Sequence, residues 1–130
     1  MIIDGTNAVL GRLASSTAKK LLSGQDVKIV HAENVIITGN PTQITKHYLR
    51  FKAIGSPQHG PFYPRRPDMI VRRTIRGMLP KTKKGRNALK KLRVEIGNPD
   101  NEKGEQAAVK HVKTDYITIG TLAKQLGWRE

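Results

Sequence analysis

IIDGTNAVLGRLASSTAKKLLSGQDVKIV, residues 2–30, reads as a strand, a helix and a second strand. Ile2 and Ile3 are a short apolar run stopped by Asp4-Gly5. Thr6 or Asn7 is placed to cap the helix after it. From Leu10 to Leu22 the pattern is helical. Leu13, Thr17 and Leu21 repeat at every fourth position, with Ala14, Ala18 and Leu22 alongside. Arg12, Lys19 and Lys20 lie off that stripe, and Gly24 stands where a C-terminal cap belongs. Val27-Lys28-Ile29-Val30 is the second strand. A strand, helix and strand packed into so short a stretch form a βαβ unit, which implies a parallel sheet. Leu13, Leu21, Ile29 and Val30 are the residues expected between helix and sheet.

Outward from this unit, Ala32-Glu33-Asn34 is a break. Val35-Ile36-Ile37 is a further β-branched run, ended by Thr38-Gly39-Asn40-Pro41. Thr42 reads as the cap of a helix with Ile44, Tyr48 and Phe51 at helical spacing and Lys46, Arg50 and Lys52 outside. Gly55 to Pro67 holds four of the seven prolines (Pro57, Pro61, Pro64 and Pro67), so it reads as an extended, stiff loop. Pro67 suits the first turn of a helix running to about Leu79, where Pro80 stops it. The spacing puts Val71, Ile75 and Met78 on its apolar side and Arg72, Arg73 and Arg76 on an adjoining arc. Lys81 to Lys84 read as a basic loop, and Gly85 precedes a short helical stretch through Leu92. Val94-Glu95-Ile96 is a candidate strand, and Asn98 to Gln106 a polar, exposed loop. Tyr116-Ile117-Thr118-Ile119 reads as an edge strand or an extended arm. Thr121 to Leu126 is a last helical turn ended by Gly127, with Trp128 packing back.

Length and charge bound the function. A chain of 130 residues with 37% hydrophobic content is expected to be one domain with one core. It has no cysteine, which excludes disulfides, thiolate metal sites and cysteine nucleophiles. No apolar run approaches the roughly 18 residues of a membrane span, and the first residues do not resemble a signal peptide. A cytoplasmic protein is the expectation. The pI near 10.5 points to a polyanionic partner. The charge is concentrated: Arg65 to Arg93 carries twelve of the 24 Lys and Arg and one acid, Asp68, so it holds a net +11 of the formal +14.

Fragments that imitate active sites fail on context. Ser16-Thr17-Ala18-Lys19 fits S-x-x-K without its companion motifs. His31-Ala32-Glu33 fits the H-x-E of zinc deaminases, whose site also needs two cysteines. His47, His59 and His111 lack partners at metal-binding spacing. Neither nucleotide-binding glycine motif is present. No catalytic residue, metal ligand, cofactor or small-molecule substrate is expected. The basic stretch is different in kind. Arginine and lysine hold phosphates by charge, and arginine adds a bidentate fork. His59, Phe62 and Tyr63 are rings suited either to stacking on unpaired bases or to loop packing. A proline-bounded helix beside a lysine-rich loop suits structured RNA better than regular duplex DNA.

The residues then resemble a known family. Gly60-Pro61, Arg65-Arg66-Pro67, the run Arg72-Arg73-Thr74-Ile75-Arg76-Gly77-Met78-Leu79-Pro80-Lys81, and Lys84-Gly85-Arg86-Asn87-Ala88-Leu89-Lys90-Lys91-Leu92 resemble the large-subunit ribosomal protein thirteen family. Leu10-Gly11-Arg12-Leu13-Ala14-Ser15, Ala32-Glu33-Asn34 and Thr38-Gly39 are similar to the same family, in its archaeal form. The resemblance implies a three-layer α/β/α fold. Its central, mainly parallel sheet has about four strands, and a basic loop-helix insertion spans about residues 55–93. It implies a structural constituent of the large ribosomal subunit that binds ribosomal RNA early in assembly, lies beside other ribosomal proteins and catalyses nothing. Carried over residue by residue, the RNA-facing candidates are Arg65, Arg66, Arg72, Arg73, Arg76, Lys81, Lys83, Lys84 and Arg86. Residues 98–113 match the family poorly. Two competing readings are an RNA-modifying enzyme, which would bind a cofactor, and a DNA-packaging protein, which would not prefer RNA.

Overall fold

β1 (Ile2–Asp4), α1 (Leu10–Leu22) and β2 (Val27–Val30) form the βαβ unit in the computed structural model, which describes residues 1–53, 65–99, 101, 103–106 and 115–128. β1 and β2 are parallel, with Ile3 beside Ile29. Gly24 ends α1 at φ 97°, donating its N–H to the Leu21 carbonyl while Gln25 donates to the Lys20 carbonyl. That left-handed turn favours a residue with no Cβ. The other end departs from expectation. The residue before α1 is Val9, which has no side-chain cap. The Thr6 N–H and hydroxyl both donate to Asp4 Oδ1, at 3.0 and 2.7 Å, and Asn7 sits at φ 59°. Thr6 and Asn7 therefore shape the turn leaving β1 and do not cap the helix.

That turn sets the charge state of Asp4. Burial pushes its carboxyl up, but the two Thr6 hydrogen bonds and the nearby His31 outweigh this and hold it below the ordinary value. A lowered folded-state pKa contributes stability that is present above about pH 4 and lost as pH falls through the folded value. In Thr6→Val, which loses one of the two bonds, the Asp4 titration followed by carbon NMR is expected to move up toward the ordinary carboxylate range. An unmoved titration would show that the hydroxyl contributes nothing.

β4 (Leu92–Val94) joins parallel to β2, and β5 (Glu105–Gln106) parallel to β1, giving the order β4-β2-β1-β5. The strand expected at 94–96 begins two residues earlier, because Leu92 pairs with Val27 and Val94 with Ile29. β5 lies inside the stretch expected to be loop. Glu105 and Gln106 show no apolar alternation; their pairing with β1 rests on backbone approach. A Cβ on Gly104 would meet the Asp4 nitrogen at 2.9 Å.

The pairing puts Ile3, Val27, Ile29 and Leu92 on one buried face, in one core with Leu13 and Leu21 of α1 and with Ile70, Val71 and Ile75 of α3 (Pro67–Met78). Val30 is buried too, but outside that core. Successive strand residues point to opposite faces, so Ile29 and Val30 cannot share one.

A second, two-stranded sheet pairs β3 (Ile36–Thr38) antiparallel with β6 (Tyr116–Thr118). α2 (Pro41–Ala53) is capped by Asn40 and not by Thr42: Asn40 Oδ1 accepts from the Thr42 N–H at 2.9 Å. Pro41 fills the first helical position, where its missing N–H is no loss. Ile44 and Tyr48 pack against the core. α5 (Ile119–Gln125) begins two residues before the expected Thr121, and Thr118 caps it by accepting the Thr121 N–H. Gly127 and Trp128 come after it as expected, with the indole packed on the core.

Candidate nucleic-acid interface

α3 begins at Pro67 as expected, but its buried side differs in one residue. Ile70, Val71 and Ile75 are buried while Met78 is 43% exposed. Leu79, just past the helix in extended conformation, supplies the burial expected of Met78. Pro80 then turns the chain into α4 (Lys83–Leu89). This helix starts inside the segment expected to be a basic loop, and Gly85 lies within it. A Cβ on Gly85 would collide with the Pro80 carbonyl oxygen. The glycine therefore lets α4 close directly onto the turn at the end of α3.

This closure builds a concave surface. A cleft of about 700 Å³ is lined by Arg73, Arg76, Gly77, Leu79, Pro80, Lys81, Gly85, Arg86 and Leu89. Four of the nine expected RNA-facing residues are thus brought together: Arg73, Arg76, Lys81 and Arg86. No acid lines the cleft among the described residues. Arg76 sits in the last turn of α3, where a cation is favoured by the helix dipole.

The other five are placed differently. Lys83 and Lys84 open α4 and line a separate hollow with Leu21, Gly24, Asn87 and Lys91. Two cations at the positive end of a helix oppose its dipole, so helix stability does not explain them. Arg65 and Arg66 are exposed at the start of α3, where Arg66 Nη2 lies 3.2 Å from Asp68 Oδ2. Arg72 is half-buried and donates from Nη1 to the Leu92 carbonyl at 3.0 Å, tying α3 to β4. His59, Phe62 and Tyr63 lie outside the described residues.

The structure also explains the fragments that imitated catalysis. His31 takes a left-handed turn at φ 56° directly after β2. Glu33 accepts the Gly97 N–H at 2.8 Å and fastens the turn to the segment after β4. Ser16 and Lys19 lie exposed on α1. Lys90, Lys91 and Arg93 are cations absent from the expected set. Lys91 reaches the Gly24 carbonyl and Arg93 approaches Glu95. The Lys91 contact depends on the tertiary position of Gly24, whereas Arg93 and Glu95 are only two residues apart in the chain.

Residues 1–101 match the family model described as ribosomal protein L13. The chain belongs to the ribosomal protein L13 family. Relatives described as large ribosomal subunit protein uL13 agree with the match over most of their length. The chain is 48% identical to that of Methanocaldococcus jannaschii, covering 97% of this chain and 96% of the relative. It is 44% identical to that of Methanopyrus kandleri, over 98% and 87%. The Haloarcula marismortui protein is 40% identical over 98% and 90%. These archaeal relatives accord with the archaeal form of the family read from the sequence.

Proposed function

We propose that this chain is a structural, non-enzymatic constituent of the large ribosomal subunit in the cytoplasm. It binds large-subunit ribosomal RNA, lies against neighbouring ribosomal proteins, and acts as one domain with its basic segment at about residues 55–93. The observation that carries the RNA surface is the α3–α4 cleft, where Arg73, Arg76, Lys81 and Arg86 converge in a member of the L13 family. Like charges gathered on one surface repel one another, and phosphates relieve that repulsion.

The test measures affinity for a transcribed large-subunit RNA across a salt series. Arg76→Ala, Lys81→Ala and Arg86→Ala are each expected to weaken binding and to lower the salt slope by roughly one per lost phosphate contact. All three residues are exposed, so unfolding free energy is expected to change within about ±0.5 kcal/mol. Lys19→Ala with Lys20→Ala, on the first helix, is the comparison and is expected to matter much less. Arg72→Ala is expected to separate from the set. It loses a charged hydrogen bond to the Leu92 carbonyl and costs about 1–2 kcal/mol of stability. Equal affinity losses from the lysine pair and the cleft residues would mean that charge acts diffusely, and the cleft would lose its place in the reading. Duplex DNA competing as well as the RNA would favour the packaging alternative.

A further inference from the structure

Nothing among the described residues requires glycine at Gly77. It lies in α3, its φ is not in the left-handed region, and a Cβ built on it meets no atom of the described residues within 4 Å. Glycine in a helix is less stable than alanine there by about 0.5–1 kcal/mol, so this position loses stability without gaining any fit against the described residues. Gly85, on the other wall of the same cleft, is the contrasting case, because the Pro80 carbonyl oxygen excludes any side chain there. Glycine is also the residue used where a ligand must approach a backbone closely.

The space over Gly77 is not open surface in every direction. It belongs to the cleft whose apolar lining is Leu79, Pro80 and Leu89 and whose cations are Arg73, Arg76, Lys81 and Arg86. Its volume of about 700 Å³ lies within the range of small-molecule sites and is too small to admit the full width of a double helix. Guanidinium planes can take an unstacked base, apolar side chains beside them can cover its ring, and the cations can hold its phosphates.

We propose that the α3–α4 cleft seats a single unpaired nucleotide of the RNA, and that Gly77 is bare so that this nucleotide can lie against the backbone of α3. This rests on the RNA-binding reading above and adds the kind of RNA element recognised. The base covers the Leu79, Pro80 and Leu89 floor. Arg76, Lys81 and Arg86 hold the phosphates on either side. A regular duplex would leave the floor empty.

The experiment uses the full chain and two RNA hairpins that differ by one unpaired adenosine bulged from the stem, each competing against a transcribed large-subunit RNA. The bulged hairpin is expected to compete at least about fivefold better than the fully paired one. Gly77→Leu is expected to abolish that difference and to weaken large-subunit RNA binding by about tenfold, with the salt slope unchanged because no phosphate contact is removed. Gly77→Ala is the milder variant, with a smaller loss. Both are expected to unfold at the same temperature as the parent or higher, since each gains helix propensity. Equal competition by the two hairpins, or Gly77→Leu binding within about twofold of the parent, would overturn the nucleotide seat while leaving RNA binding intact. If the unaltered chain showed no preference for the ribosomal RNA over duplex DNA, the broader reading itself would fall.

Discussion

Leu21→Ala is expected to remove about 2–5 kcal/mol of stability. Leu21 is 1% exposed on the inner face of α1, in the core shared with β2 and α3. Truncation deletes its methyl groups and leaves a cavity in a core rich in Ala14, Ala18 and β-branched residues, which have few rotamers with which to fill it. Urea unfolding of the parent and the variant measures the difference directly. A loss below about 0.5 kcal/mol, typical of exposed positions, would show that the inner face of α1 has been assigned to the wrong side.

The second large effect is expected at Gly85. Alanine there would drive its Cβ into the Pro80 carbonyl oxygen, so α4 must move away from the turn or the turn must open. Backbone does not yield as a flexible side chain does, and the expected loss is about 2–4 kcal/mol. Gly77→Ala, on the facing wall, is expected to have the opposite sign. Thermal unfolding of the two alanine variants side by side tests the contrast. A Gly85→Ala protein as stable as the parent would mean that α4 is not seated against Pro80.

These contrasts mark what the sequence made legible. The stripe of Leu13, Thr17 and Leu21 gave α1 its bounds and its buried face, because helix periodicity is a local signal. The same holds for Pro67 and Pro80 at the ends of α3. Other features depend on residues distant in the chain. Glu105 and Gln106 form a strand only because β1 offers a parallel edge and Gly104 lets the backbones meet. Leu79 is buried instead of Met78 because Pro80 breaks the helical phase just where a helical wheel would continue it. The basic residues were visible as a count. Their division was not, because it depends on where Pro80 folds α4 back. That fold sends Arg76, Lys81 and Arg86 to one side, Lys83 and Lys84 to another, and leaves Arg72 holding Leu92.

The pairing of β1 with both β2 and β5 bears on the order in which the chain can acquire its structure during synthesis. β1 is made before the other strands of its sheet, yet among the described residues one of its two edges is paired by Glu105 and Gln106, and β3 gains its antiparallel partner at Tyr116–Thr118. The pairing of β1 with β2 needs only nearby residues and can form while the chain is still growing, whereas α1 also packs on α3. The open edges of β1 and β3 then wait for the stretch that carries β5 and β6. Until it emerges they are unpaired strand edges on a strongly basic chain, where like charge slows self-association. The positive charge that suits the finished protein to RNA thus also guards the nascent chain before its sheets are complete.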